Sequence, residues 1–274
     1  MNSLINTASD TTPTSGAQTL RRGLSVLRLL TRVGEAGLKV GDIARRLDLN
    51  RVTTLRLTKT LAEEGFVVLS PESGRYCLGP EAFATGIAAE PGYELQRIAA
   101  PMLQTLALET GDTVFFTLLH DGETICLSRD EGGYPIRNQL VKPGDRWPLG
   151  VGAGSCALLA AHDDAYIQAV LERTRLFRRQ RYPRCTDDDI WELIRLTREK
   201  GYCVHHGLVA SEQWAVGVVV LDHNNLPTAS ISVAAIAERL GAARASALGN
   251  RLMLLSQALS LSMRGKGASR AKLL

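Results

Sequence analysis

Apolar residues in the first third of the chain recur at three- and four-residue steps. Leu20, Leu24, Leu27 and Leu30 share one helical face, Thr19 stands where it can cap that helix, and Gly34 and Gly37 end it. A second helix follows over Val40 to Leu47 and buries Ile43, Ala44 and Leu47. Asp48-Leu49-Asn50 forms a tight joint. Asn50 caps a third helix from Arg51 to about Glu64, with Thr54, Leu57 and Leu61 turned to the core. Gly65 stops it, and the chain leaves as a strand. Ser70 to Pro80 (SPESGRYCLGP) reads as a strand, a turn at Ser73-Gly74 and a second strand. Paired short helices followed by such a hairpin make a winged helix-turn-helix, which sets its second helix in the major groove of DNA.

The exposed face of that second helix carries Arg51, Val52, Leu55, Arg56 and Lys59. Three cations alone would suit any solvated helix. Two large aliphatics among them gain nothing from water, whereas in a major groove they meet thymine methyls while an arginine reads guanine O6 and N7. Thr53 and Lys59 suit phosphate contacts, and Arg75, near the wing tip, suits a minor-groove or phosphate contact.

Beyond residue 92 the pattern is that of an α+β domain. Tyr93 to Thr110 is helical, with Leu95, Ile98, Met102, Leu106 and Glu109 in step, Pro101 as a kink and Gly111 as the stop. Asp112 to His120 is a β-branched and aromatic strand, Asp121-Gly122 a hairpin turn, and Thr124 to Arg129 the returning strand. Cys156 to Ala161 starts a buried helix, and Asp187 to Lys200 is another. Val216 to Asp222 and Ala229 to Ala235 are strands around the turn His223 to Pro227, and Arg239 to Ser262 is a long closing helix. The organisation expected is an arm over residues 1–18, a DNA-binding domain over 19–80, a linker over 81–92, a second domain over 93–264 and a loose tail over 265–274.

Charge sharpens the division. The formal net charge is +4; residues 1–80 hold 11 Lys/Arg against 7 Asp/Glu, and residues 81–274 hold 21 of each. The excess positive charge therefore lies wholly in the part that reads as DNA-binding. The five cysteines are scattered without CxxC or zinc spacing and fit reduced thiols in a cytoplasmic protein. No apolar run approaches the ~18 residues of a membrane helix. His205 and His206 are adjacent on an expected strand and point to opposite faces, so they do not chelate one metal. The run Arg173 to Arg184 (RTRLFRRQRYPR) could contact DNA a second time, but Asp187-Asp188-Asp189 follows it, and it reads as a solvated surface helix and loop.

Gly150 to Gly154 (GVGAG) is a poor phosphate loop, lacking Gly-Lys-Ser/Thr, and Ser155 is not in a GxSxG elbow because Ala157 takes the last position. Glycines before a helix start do leave N–H groups near its positive end, which suits a carboxylate. No nucleophile, base and orienting group can be assembled, so no catalytic residue, metal site or cofactor is expected.

Several blocks, in order, resemble one family. GFV (Gly65 to Val67), GRYCLGP (Gly74 to Pro80), WPLGVGAGSCALLAA (Trp147 to Ala161), GYCVHHGLV (Gly201 to Val209) and PTASISVAAIAERL (Pro227 to Leu240) are similar to IclR-type transcriptional regulators, from about Thr19 to Met263. Val52 and Thr58 depart from the usual serine and leucine. The resemblance implies a linker helix near Glu81 to Ala89 and a GAF- or profilin-like effector-binding domain with a curved antiparallel sheet. It also implies a homodimer or homotetramer on double-stranded operator DNA, and a small organic acid as effector. Carried over by position, the pocket uses Ala153, Gly154, His205, Trp214, Ala215 and Ser232, with Ala234 where a further serine is usual. Trp214 beside His205 points to a ring-bearing or larger acid; the competing reading of Trp214 is a core or oligomer contact. The function expected is a ligand-responsive regulator of a catabolic gene cluster. The alternatives are an enzyme or a constitutive DNA-binding scaffold built on the same domain.

Overall fold

The computed structural model describes residues 17–89, 94–136 and 140–264, and divides at Tyr93/Glu94 into two compact units. The arm before residue 17, Tyr93 and the tail after residue 264 fall outside the described residues.

The first unit is built from α1 (Ala17–Val33), α2 (Val40–Leu47), α3 (Arg51–Glu63), a hairpin of β1 (Val67–Leu69) and β2 (Tyr76–Leu78), and α4 (Pro80–Ala89). Two details of the first helix differ from expectation. Thr19 lies inside α1 and does not cap it, and the buried face is Gly23, Val26 and Leu30, with Leu20 and Leu24 exposed. The leucine row is rotated from the core because Val26 and Leu30 meet Leu38, Ile43, Leu57, Val67 and Tyr76 in one cluster. Burying such side chains contributes about 1.5–3 kcal/mol each. The joint between α2 and α3 is tight because Asp48 adopts a left-handed conformation, φ 52°. Asn50 then caps α3, its side chain accepting from the Thr53 amide at 2.7 Å. The hairpin is tied back by Leu38 and Tyr76, which exchange both backbone hydrogen bonds at 2.8 and 3.0 Å.

The second unit is a six-stranded antiparallel sheet in the order β5-β4-β3-β8-β7-β6, from β3 (Thr113–His120), β4 (Glu123–Glu131), β5 (Arg146–Pro148), β6 (Cys203–His206), β7 (Gln213–Leu221) and β8 (Pro227–Ile236). The β3–β4 turn falls at Asp121 and Gly122, both at positive φ (51° and 71°), the backbone a tight hairpin needs. One sheet face packs on α5 (Glu94–Thr110) and α9 (Ala242–Arg264) through Leu103, Leu106, Val216, Val218, Ile231, Val233 and Leu252. The other packs on α6 (Ala153–Ala160), α7 (Asp164–Arg181) and α8 (Asp187–Lys200). Pro101 sits inside α5. The last helix begins at Ala242 rather than Arg239, after a 3-10 turn over Ala237–Arg239; the turn supplies one inward arginine and the first turn of the helix another. Arg239 and Arg244 pair with buried Asp112 at 3.1 and 2.6 Å, and Arg239 also lies 3.9 Å over the Tyr134 ring.

The arginine-rich run is not simply a solvated surface. Arg178 is 2% exposed, and it donates to Thr174 Oγ1, to the Leu171 and Cys185 carbonyls and to Asp187. Asp187 also accepts from Arg175 at 3.0 Å. These two arginines hold its carboxyl below the usual range against the effect of burial. The α7–α8 corner therefore closes over a satisfied cation.

Candidate DNA-reading face and ligand cavity

On α3 the two faces separate cleanly. Thr54, Leu57 and Thr58 are buried, and Thr58 Oγ1 turns back on the Thr54 and Leu55 carbonyls at 3.0 and 3.1 Å. Arg51, Val52, Leu55, Arg56 and Lys59 are exposed together, Val52 at 64% and Leu55 at 50%. Thr53 is partly buried beside the cap. Lys59 makes one loose contact, 3.8 Å to Glu63. Arg75 is half-buried, its Nη1 donating to the Gly37 carbonyl at 3.1 Å.

The six residues carried to the second site converge on one cavity in the sheet unit. Ala153 and Gly154 come from the first turn of α6, His205 from β6, Trp214 and Ala215 from β7 and Ser232 from β8. The cavity has a volume of about 90 Å³. Strand alternation decides who faces it. His205 is paired with Ala215, and Gly217 with Ser232, all on the α6 side. Trp214 and His206 are the neighbouring cross-strand pair, turned to the α5–α9 side, where their rings lie 4.3 Å apart. Trp214 thus borders the cavity, but its ring packs elsewhere, and the core reading of this tryptophan describes the ring.

The sequence reading missed the aromatic wall that is present. Phe115 of β3 and Trp147 of β5 line the cavity with Leu140, Val141 and Val209, and Thr117, Thr124, Cys126, Ser155 and Gln213 complete it. Trp147 stacks on Tyr182 at 5.2 Å, which fixes its ring. The alternation of Phe115 with the core residues Val114 and Phe116 was the available signal.

The polar groups of this cavity differ in how well they are satisfied. Ser155 donates to the Pro148 carbonyl at 3.0 Å, and Thr117 Oγ1 lies 2.7 Å from Ser230 Oγ. His205 Nε2 and Gln213 Oε1 are buried without a hydrogen-bond partner. Burial, with His206 adding to it, pulls the His205 pKa down to about 4, so its ring is neutral at pH 7. Burial pushes the Cys126 thiol up to about 12, which leaves it an unreactive wall. At the start of α6 the first intrahelical bond runs from the Cys156 amide to the Gly152 carbonyl at 2.9 Å, so the amides of Ala153, Gly154 and Ser155 precede it. Among the described residues, none that lines the cavity is Lys, Arg, Asp or Glu.

The family model for the C-terminal domain of bacterial IclR transcriptional regulators matches residues 90–261, and the IclR helix-turn-helix model matches residues 19–71. The chain belongs to the IclR family of transcriptional regulators. Among IclR relatives, the glycerol operon regulatory protein of Streptomyces coelicolor is 30% identical over 235 residues, covering 81% of this chain and 86% of that one. The HTH-type transcriptional repressor AllR of Escherichia coli K12 is 28% identical over 233 residues, covering 82% of each. The crystal structure of an IclR regulator from Alicyclobacillus acidocaldarius superposes with a TM-score of 0.74 at 26% identity, over 89% of this chain and 97% of that one. The winged helix-turn-helix and the effector-type domain with its curled antiparallel sheet are thus those of an IclR regulator, and the protein is a DNA-binding transcriptional regulator.

Proposed function

We propose that this regulator controls a catabolic operon and that the cavity between α6 and the sheet binds a small organic acid that sets its affinity for operator DNA. The observation that carries this reading is the pair of unpartnered buried atoms, His205 Nε2 and Gln213 Oε1, in a cavity walled mostly by apolar side chains. Leaving such groups unpaired costs about 1–3 kcal/mol each, which a ligand's polar atoms recover. Phe115, Trp147, Leu140, Val141 and Val209 suit a compact apolar body, aromatic or branched. The first-turn amides of α6 and the Ser232 hydroxyl suit a carboxylate. The names of the relatives, a glycerol operon regulator and a repressor, support the catabolic setting.

On DNA, Arg51, Val52, Leu55 and Arg56 enter the major groove, Thr53 and Lys59 hold phosphates, and Arg75 reaches the backbone beside the wing. A homodimer or homotetramer places these heads on a near-palindromic site. Ligand shifts operator affinity by its difference in affinity for the two arrangements of the heads, as linkage requires.

The test is fluorescence anisotropy of the full chain on the DNA flanking its gene, with and without a panel of aliphatic and aromatic monocarboxylic acids. Tight binding altered by one acid is the expected result. Tight binding indifferent to all of them removes the acid reading of the cavity, and turnover of an acid would make the protein an enzyme instead.

A further inference from the structure

His205 is 3% exposed, and its Nε2 is turned into the cavity with no partner. The groups that could answer a ligand's charge from the surrounding elements are few. From β4 comes Cys126, on which the Asp145 and Asp130 carboxylates and the Arg129 guanidinium act, Arg129 being paired with Glu131 at 2.6 Å; from α6 comes Cys156, whose thiol meets that of Cys203. The hydrogen bond with Cys203, with burial adding to it, holds the Cys156 thiol well above its ordinary value. On β6 itself His206 lies on the opposite face, with Lys200 of α8 acting on it. From β7 and β8, Gln213, Trp214, Ala215, Ser232 and Ala234 border the cavity, and none ionises. Among the described residues that line the cavity, a carboxylate would find hydrogen-bond donors but no cation, and Arg129, which acts on Cys126, is already paired with Glu131. An anion buried without a counter-charge is costly, and proton uptake is the usual relief. A neighbouring anion within about 4–6 Å favours the protonated form of a histidine, which opposes the desolvation that keeps the ring neutral.

We propose that the cavity takes up a small monocarboxylate together with one proton from solvent, and that His205 carries this proton as the ligand's counter-ion. The inference rests on the effector reading of the cavity. The balance is simple: a neutral imidazole, a carboxylate anion and a solvent proton become an imidazolium–carboxylate pair, with no covalent bond to carbon made or broken. His205 is then a specificity residue. It admits one carboxylate; a dicarboxylate would bring a second charge that no described lining residue meets, and an ester or amide would gain nothing from the proton. Ligand affinity should fall roughly tenfold per pH unit as the pH rises from about 5 towards the pKa of His205 in the complex, and level off above it.

The experiment is isothermal titration calorimetry of the full chain with acetate, butanoate, benzoate and phenylacetate at pH 7.5. Each titration is repeated in phosphate and in Tris, whose ionisation enthalpies differ. One proton taken up per bound acid is expected, and none in the His205→Gln variant. A nitrogen-resolved NMR spectrum of histidine-labelled wild-type protein gives an independent reading: one ring should become doubly protonated at pH 7.5 when the acid is added. Binding without proton uptake overturns the proposal. Uptake that survives His205→Gln, with no histidine changing state, puts the proton on the ligand and overturns the role of His205. No heat from any of the four acids, with unchanged histidine spectra, overturns the cavity reading itself and this inference with it.

Discussion

Gly217 of β7 runs so close to Gly154 of α6 that a Cβ on Gly217 would lie 2.5 Å from the Gly154 amide nitrogen and 2.6 Å from the Ala153 carbonyl carbon. Both obstacles are backbone, so helix and sheet would have to part. Gly217→Ala should destabilise the protein by about 1–3 kcal/mol and spoil the cavity. Gly154→Ala should cost less, because its Cβ would meet the Ser230 hydroxyl, a side-chain atom, at 2.6 Å. Thermal denaturation of both variants checks the order; equal stabilities would show that α6 yields freely.

The exposed face of α3 separates base reading from phosphate binding. Arg56→Ala should weaken operator binding by about 1–3 kcal/mol and relax the preference at one base pair. Lys59→Ala should weaken all sequences alike and lower the salt slope by about one. Anisotropy titrations at several salt concentrations, on operator and scrambled DNA, distinguish the two. An Arg56→Ala protein with parental affinity and specificity would remove Arg56 from the groove.

Asp112 anchors α9 to the sheet through Arg239 and Arg244. Burial pushes its carboxyl up, and the two arginines pull it back only in part. Asp112→Ala takes the carboxylate from both guanidinium groups, leaving them the Thr110 carbonyl, and should cost about 1–3 kcal/mol, measurable by urea denaturation. A loss below 1 kcal/mol would mean that water takes over the carboxylate's role.

His205 titrates near 4 in the folded chain against an ordinary value of 6.5. Between these values the unfolded chain holds more protons, so stability is complete above about pH 6.5 and is lost as the pH falls toward 4. Across that window the loss is roughly 3 kcal/mol. His162 and His206 are also held down by burial and act in the same direction. Urea denaturation at pH 7.5 and pH 5 should therefore show a smaller drop for His205→Gln than for the parent. Equal drops would mean that the His205 ring is already hydrated.

Much of the DNA-binding unit was legible because its signals are local. Asn50 caps α3 three residues from its amide partner, and the aliphatics Val52 and Leu55 stand out on their own helix. The Asp121-Gly122 turn was equally plain, since positive φ at two successive positions admits few sequences. What escaped depends on partners distant in sequence. Leu20 and Leu24 look like a core row until Val26 is seen against Ile43 and Val67. Arg178 reads as a solvated cation until the chain returns with Asp187 and the Cys185 carbonyl. The six residues carried over by resemblance do line one cavity, yet Trp214 offers it no ring, because one step along a strand reverses the face. Trp147, on a three-residue strand too short to announce itself, supplies the ring instead.

The sheet of the second unit ends in β5 on one side and β6 on the other, three and four residues long. Pro148, the last residue of β5, has no amide hydrogen to offer a stranger. Each of these outermost strands therefore offers a stranger only three or four residues of its own backbone, a short rail for recruiting the next chain into a fibril. Outermost strands this short are poor templates for the edge-to-edge growth that long, flat strands invite when protein is crowded.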